Sequence, residues 1–160
     1  MSLPPKPARD SAVDMAELVL PQDANPRGTA FGGRIVQWID LCAGMAAARH
    51  TRRPVVTASM DDLHFHAPLK IGYQALLGAR ITGVFHTSME IYVRVMAENP
   101  LTGERTLCTD AYLTFVALDD AGRPCEVPPL QLETPEEHEA FRRAQERREQ
   151  RLQRSSSKRS

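Results

Sequence analysis

Aromatic side chains are scarce in this chain, 6% of its 160 residues, and Trp38 is its one tryptophan. A nucleic-acid groove that stacks successive bases on rings therefore has little to work with. Net charge is absent as well, since 20 Lys/Arg face 20 Asp/Glu, so no overall field gathers nucleic acid or an anionic membrane. The three cysteines, Cys42, Cys108 and Cys125, are odd in number and far apart, with no CxxC pair. That spacing argues against a disulfide scaffold or a zinc site and for a reducing compartment. No apolar run reaches the roughly 20 residues of a membrane span, and the start, Met-Ser-Leu-Pro-Pro-Lys-Pro, lacks a signal-like apolar stretch. These absences lead us to expect a soluble cytoplasmic protein with neither a membrane nor a nucleic-acid partner.

What is present is enough apolar material, 42% of residues, for one core. The charge is uneven: residues 136–160 hold eight Lys/Arg and five Glu, leaving 1–135 with twelve against fifteen. Three sections follow: a proline-containing loose leader over 1–14, a folded domain over 15–135, and a charged helix over 136–160 that frays into a disordered Ser-rich tail. Ala16–Leu20 is short, apolar and stopped by Pro21, as a first strand would be. Strands are also expected over 55–66, 73–85, 89–97 and 105–118, where β-branched or alternating residues run between short turns. The strand over 55–66 has a possible bend at Asp61-Asp62. The only apolar helix available lies between the first strand and the other four. An antiparallel sheet curled round that helix, an α+β arrangement, is the economical fold. One helix covers one sheet face, so the other parity must meet water or another subunit.

The chain is organised around residues 25–49. A loop led by Asn25 and turned at Gly28 delivers it to Gly32-Gly33, and a helix over 34–49 follows, apolar on nearly every side. Such a helix reads as buried. Asp40 lies in its middle, where an unpartnered carboxylate costs several kcal/mol as a rough figure or takes up a proton. Either Asp40 satisfies a neighbouring backbone group or arginine, or the site has a use for it.

The combination Asn25-x-x-Gly28-x-x-Phe31-Gly32-Gly33, Asp40-x-x-x-Gly44, Val56-Thr57-Ala58-Ser59-Met60, Ser88-Met89-Glu90-Ile91 and Tyr112-Leu113-Thr114-Phe115-Val116 resembles the hotdog-fold acyl-CoA thioesterases. The cytosolic acyl-CoA hydrolases and their small bacterial single-domain relatives are the nearest in kind, and the likeness runs from about Leu18 to Phe141. It implies a sheet wrapped round one long central helix, homodimers with sites at the interface, and assembly of three such dimers into a hexamer. It implies hydrolysis of an acyl-CoA thioester to coenzyme A and a fatty acid, with no cofactor beyond the CoA of the substrate itself. Carried over by position, Asp40 matches the helix acid and Asn25 the loop asparagine, so that Asp40 would face the partner subunit's Asn25.

Thioester hydrolysis needs a base for water, or a carboxylate that attacks directly, and donors for the oxygen that becomes negative. Asp40 suits the first role. Backbone N–H groups at Gly33 and its neighbour Gly32, at a helix start, suit the second, and the Asn25 amide could hold water or thioester in line. Attack by water is preferred over an anhydride through Asp40. For the pantetheine arm, Thr57, Ser59 and the segment His86-Thr87-Ser88 are candidate contacts; Arg52, Arg53, Lys70 and Arg80 are available to phosphates. Trp38, Met45 and Phe65 are candidates for the acyl tunnel.

Each residue also has a plainer reading. Asn25 before Pro26 can be a turn former, Gly32-Gly33 can permit close packing, and Cys42 in a helix is a small apolar filler. His64 and His66 share a strand face without a placed third ligand, so no metal is expected. A non-catalytic acyl-CoA-binding regulator is the alternative function. A hotdog hydratase is weaker, because no histidine lies in the 25–40 stretch.

Overall fold

The computed structural model describes residues 3–159. Five strands form one antiparallel sheet in the order β2 (Val13–Leu18), β4 (Gln74–Phe85), β5 (Ser88–Glu98), β6 (Arg105–Ala117), β3 (Val55–Phe65). The two-residue period of a strand sends one parity of each to a common face. Ala75, Leu77, Ala79 and Ile81 of β4, Met89, Ile91, Val93, Val95 and Ala97 of β5, and Ala111, Leu113, Phe115 and Ala117 of β6 are all buried. This is the alternation read from the sequence, and the strand bounds agree with it to within a residue or so.

Helix α1 (Gly32–Thr51) lies on that apolar face. Ile35, Trp38, Ile39, Cys42, Ala43, Ala46 and Ala47 point into the core, and the run of alanines allows the helix axis close to the strands. Here the expectation needs correction. The helix is not buried on all sides: Leu41 is 52% exposed and Met45 46%. Its second apolar face has no cover among the described residues. Arg52 caps the C-terminus with φ 54°, in the left-handed region, and Pro54 follows.

Residues expected to be a loose leader are tied down, apart from Met1 and Ser2, which lie outside the described residues. β1 (Lys6–Pro7) pairs in parallel with β7 (Leu130–Gln131), and β2 begins at Val13 rather than Ala16. Lys6 Nζ donates to the Arg49 and His50 carbonyls at 2.7 and 3.2 Å, satisfying the end of α1. Ser11 is fully buried and its hydroxyl meets His50 Nδ1 at 2.8 Å. Proline content disguised a segment anchored by these side-chain bonds.

Helix α2 (Pro135–Arg159) crosses the sheet's outer face, so that face meets neither water alone nor another subunit alone. Serines 155–157, where fraying was expected, are helical, and Ser160 is outside the described residues. Contact with β4 is close because position 83 is glycine: a Cβ there would sit 3.0 Å from Phe85, 3.1 Å from Ala144 and 3.3 Å from Phe141. Among the described residues no helix is long and apolar enough to cross a membrane.

Candidate active site

The loop before α1 is held by its own short polar side chains. Asn25 Oδ1 accepts from the N–H groups of Arg27 and Thr29 at 3.0 and 3.2 Å, and Asn25 Nδ2 donates to Thr29 Oγ1 at 3.0 Å. Gly28, with φ 79°, turns the loop, and its N–H donates to the Asn25 carbonyl. Asp23, nearly buried, accepts from the Leu20 N–H and forms an ion pair with Arg34 at 3.1 Å. That pair fastens the loop to the first turn of α1. It was not anticipated, although an Asp eleven residues before an Arg across a glycine turn is a pattern that only the folded loop brings together.

At the helix start, Arg34 and Ile35 are the first N–H groups to bond back, both to the Phe31 carbonyl, at 3.0 and 3.1 Å. The Gly32 and Gly33 N–H groups precede them and have no partner among the described residues. Beside them lies an open hollow of about 410 Å³, lined by Gly32, Ile35, Phe65, Pro68 and Leu69 among others. A smaller and more enclosed cavity of about 280 Å³ lies between the N-terminal segment, β4 and the first turn of α2; Arg80, a candidate for the phosphates, lines it, and Asp40, Asn25 and the glycines do not.

Two turns into α1, Asp40 is half-buried on the open side of the helix. Thr57 Oγ1, on β3, donates to Asp40 Oδ1 at 2.7 Å. No ion pair takes up this carboxylate among the described residues. Thr57, a candidate contact for the pantetheine arm, has its hydroxyl on the acid in this chain. Ser59 is turned away. The register with β6 shifts between Thr57, opposite Phe115, and Ser59, opposite Thr114, which puts the two on opposite faces. Ser59 Oγ lies 3.5 Å from Asp61 Oδ2.

The segment His86-Thr87-Ser88 is the β4–β5 hairpin, with His86 at φ 64°. Its carbonyls accept from Val127 and Ala117, so its polar backbone is used in holding the sheet's end. Within one chain no hydrogen bond joins Asn25 or this hairpin to Asp40 among the described residues. Cys42 is fully buried, and burial, with the nearby Asp14 charge, pushes its thiol up to about 11. It is a packing residue, not a thiolate. His66 pairs with Asp110 at 3.1 Å and sits against His64, and no cluster of metal-ligating residues forms among the described residues.

Residues 27–104 match the thioesterase superfamily. Over 143 residues the chain is 43% identical to an uncharacterized acyl-CoA thioester hydrolase of Bacillus subtilis (strain 168), covering 87% of this chain and 83% of that protein. It is 36% identical over 139 residues to a mouse acetyl-coenzyme A thioesterase, of which it spans 25%. An apo-hexameric acyl-CoA thioesterase superposes with a TM-score of 0.91 at 40% identity, covering 96% of this chain and 98% of that one. The chain belongs to the hotdog-fold acyl-CoA thioesterases. A further structure, the Staphylococcus aureus acyl-CoA hydrolase with butyryl coenzyme A, coenzyme A and coenzyme A disulfide, matches with a TM-score of 0.90 at 34% identity over 98% of this chain and 95% of that one. Alanine variants of an aspartate, an asparagine and a threonine in that enzyme have also been crystallised. This thioesterase therefore hydrolyses acyl-CoA, and its antiparallel sheet round α1 is the hotdog arrangement.

Proposed function

We propose that hydrolysis takes place where two copies of the chain meet across α1 and the edge strand β3, with Asp40 as general base. Phe31, Leu41, Met45 and Phe65 are large apolar side chains between 46% and 53% exposed on α1, its approach and β3. A patch of that kind together with an unpaired strand edge favours a two-fold contact with a second copy. Such a contact encloses Asp40 and brings up the partner subunit's Asn25. Three of these dimers forming a hexamer is the assembly we favour, in line with the hexameric structural neighbour.

The observation that carries the mechanism is the bond from Thr57 to Oδ1 of Asp40. It fixes the carboxylate's orientation and leaves Oδ2 to accept a proton from water. The hydroxide so formed attacks the thioester carbonyl, and the carbonyl oxygen, now negative, is received by the Gly32 and Gly33 N–H groups. The intermediate expels the coenzyme A sulfur, which takes the proton from Asp40. The products are a fatty acid and the free thiol, and no cofactor other than the substrate's own CoA takes part. The Asn25 amide holds the water or the thioester in line. Thr57, Ser59 and the hairpin at 86–88 remain the proposed neighbours of the pantetheine arm, Ser59 by its backbone alone, because its side chain faces the sheet's other side.

The test is a set of purified variants assayed on a panel of acyl-CoAs with a thiol reagent. Asp40→Asn lowers kcat on the order of a hundredfold or more. Asn25→Ala is also impaired. Unfolding and refolding an equal mixture of these two impaired variants restores about a quarter of the wild-type sites, because each mixed dimer carries one site with both residues intact. Wild-type turnover by folded Asp40→Asn removes the base assignment, and a mixture no better than its components removes the shared site.

A further inference from the structure

Strand β3 carries Thr57, and its ladder to the sheet is irregular. It lies at an edge, pairs only with β6, and changes register twice, between Thr57 and Ser59 and between Asp61 and His64. Asp62, inside the second shift, has φ 50°, a conformation that disfavours residues with a Cβ. Each shift interrupts the ladder and bends the strand. The proposed contact with a second copy runs along the free edge of β3, so the irregular segment still needs support on the face of the sheet if the Thr57 hydroxyl is to stay 2.7 Å from Asp40.

The support comes through the sheet's outer face. Arg147 of α2 donates to both carboxylate oxygens of the fully buried Glu90, at 2.9 and 2.8 Å, and Thr82 donates to the same carboxylate at 2.6 Å. The Arg147 guanidinium also lies 3.7 Å from the centre of the Tyr112 ring. Tyr112 is the register partner of Asp61. One turn further along α2, Arg151 lies 3.8 Å from Glu90 and 3.5 Å from Asp61 Oδ2, the oxygen that Ser59 also approaches. The Arg151 and Asp61 side chains are 16% and 21% exposed, so this pair is largely shielded from water. The Glu90–Arg147 pair fixes where α2 lies, and the next arginine grips the irregular part of β3.

We infer that α2 braces the catalytic carboxylate: Arg151 is a positioning residue that, through Asp61, holds the register-shifted segment of β3 so that Thr57 keeps its bond to Asp40. The inference rests on the reading of Asp40 as the base, and it assigns the C-terminal helix a part in the reaction although that helix touches no substrate.

Steady-state kinetics of Arg151→Ala, Arg151→Lys and Asp61→Asn, on an acyl-CoA that the wild type hydrolyses, test it across a pH series. Arg151→Ala should lower kcat roughly tenfold, less than the hundredfold that a full 1 Å misplacement can cost. KM should change by less than about twofold, since uniform binding is untouched. The acid limb of the profile should move to higher pH, because a carboxylate that loses a donor holds its proton more tightly. Arg151→Lys should recover part of the loss. In a Thr57→Val background, Arg151→Ala should have no further effect on the acid limb. Should Arg151→Ala destabilise the fold, Asp61→Asn keeps the side chain's shape and gives the same readings. Wild-type kcat and an unmoved acid limb in Arg151→Ala or Asp61→Asn overturn the brace, as does an undiminished effect in the Thr57→Val background. Turnover surviving in Asp40→Asn instead refutes the base assignment, so the two failures are told apart.

Discussion

Two helices lie on opposite faces of one sheet, and they are held by different forces. α1 presents Ile35, Trp38, Ile39, Cys42, Ala43, Ala46 and Ala47 to the strands, all buried and none charged. α2 fully buries one residue, Ala144, and otherwise meets the sheet with Phe141 and the arginines at 147 and 151. Apolar burial is non-directional and scales with area, so α1 supplies most of the stabilisation. A buried ion pair gives little net stability but has a fixed geometry, and breaking it is expensive. The inner face therefore holds the molecule together while the outer face sets where its strands lie.

The largest effect that probes this contrast is on the outer face. Glu90→Ala leaves Arg147 shielded from water with no counter-charge and should cost about 3–5 kcal/mol in urea unfolding, whereas Glu90→Met together with Arg147→Met should be near neutral. A single-substitution cost no greater than an ordinary surface change would mean that α2 is held some other way. On the inner face, Ile39 is fully buried, and Ile39→Ala should cost about 2–5 kcal/mol through lost transfer energy plus a cavity, with no partner substitution able to cancel it. The asymmetry lies in that rescue: a charge pair can be removed whole, a packed side chain cannot.

The same contrast explains what could be read from the sequence. Burial on the inner face follows periods of two and 3.6, so β4, β5, β6 and α1 were legible, and Asp40 stood out as a carboxylate within an apolar run. The outer face depends on pairs distant in sequence, such as Glu90 with Arg147, and on a helix whose composition reads as a solvated surface. Nor could the sequence separate Thr57 from Ser59. Two residues apart on a regular strand they would share a face, and only the register shift between them sends one to Asp40 and the other to Asp61. The apolar cover over all of α1 was overread because the chain alone does not say which apolar face a sheet takes and which is left for a second copy.

The smallest predicted effect concerns a place where α1 too relies on directional bonds. His50 is buried at its C-terminal end, with Nε2 2.9 Å from the Pro128 carbonyl and Nδ1 2.8 Å from the Ser11 hydroxyl. The carbonyl can only accept, so Nε2 carries the proton and the neutral ring accepts from Ser11 at Nδ1. Burial lowers the His50 pKa below its ordinary 6.5, the carbonyl bond opposes this, and the Lys6 charge adds to the lowering. Between the folded and unfolded values the unfolded chain binds more protons, so stability rises with pH through that window. The contribution is complete above about 6.5 and is lost as pH falls below it, with a slope under the roughly 1.4 kcal/mol per pH unit that one proton allows. Urea midpoints from pH 7.5 down to 5 should show this decline in the wild type and a shallower one in His50→Gln, while the other histidines contribute equally to both. Parallel curves would mean that the end of α1, like its middle, is held by packing and not by the polar contacts that tie it to Ser11 and Pro128.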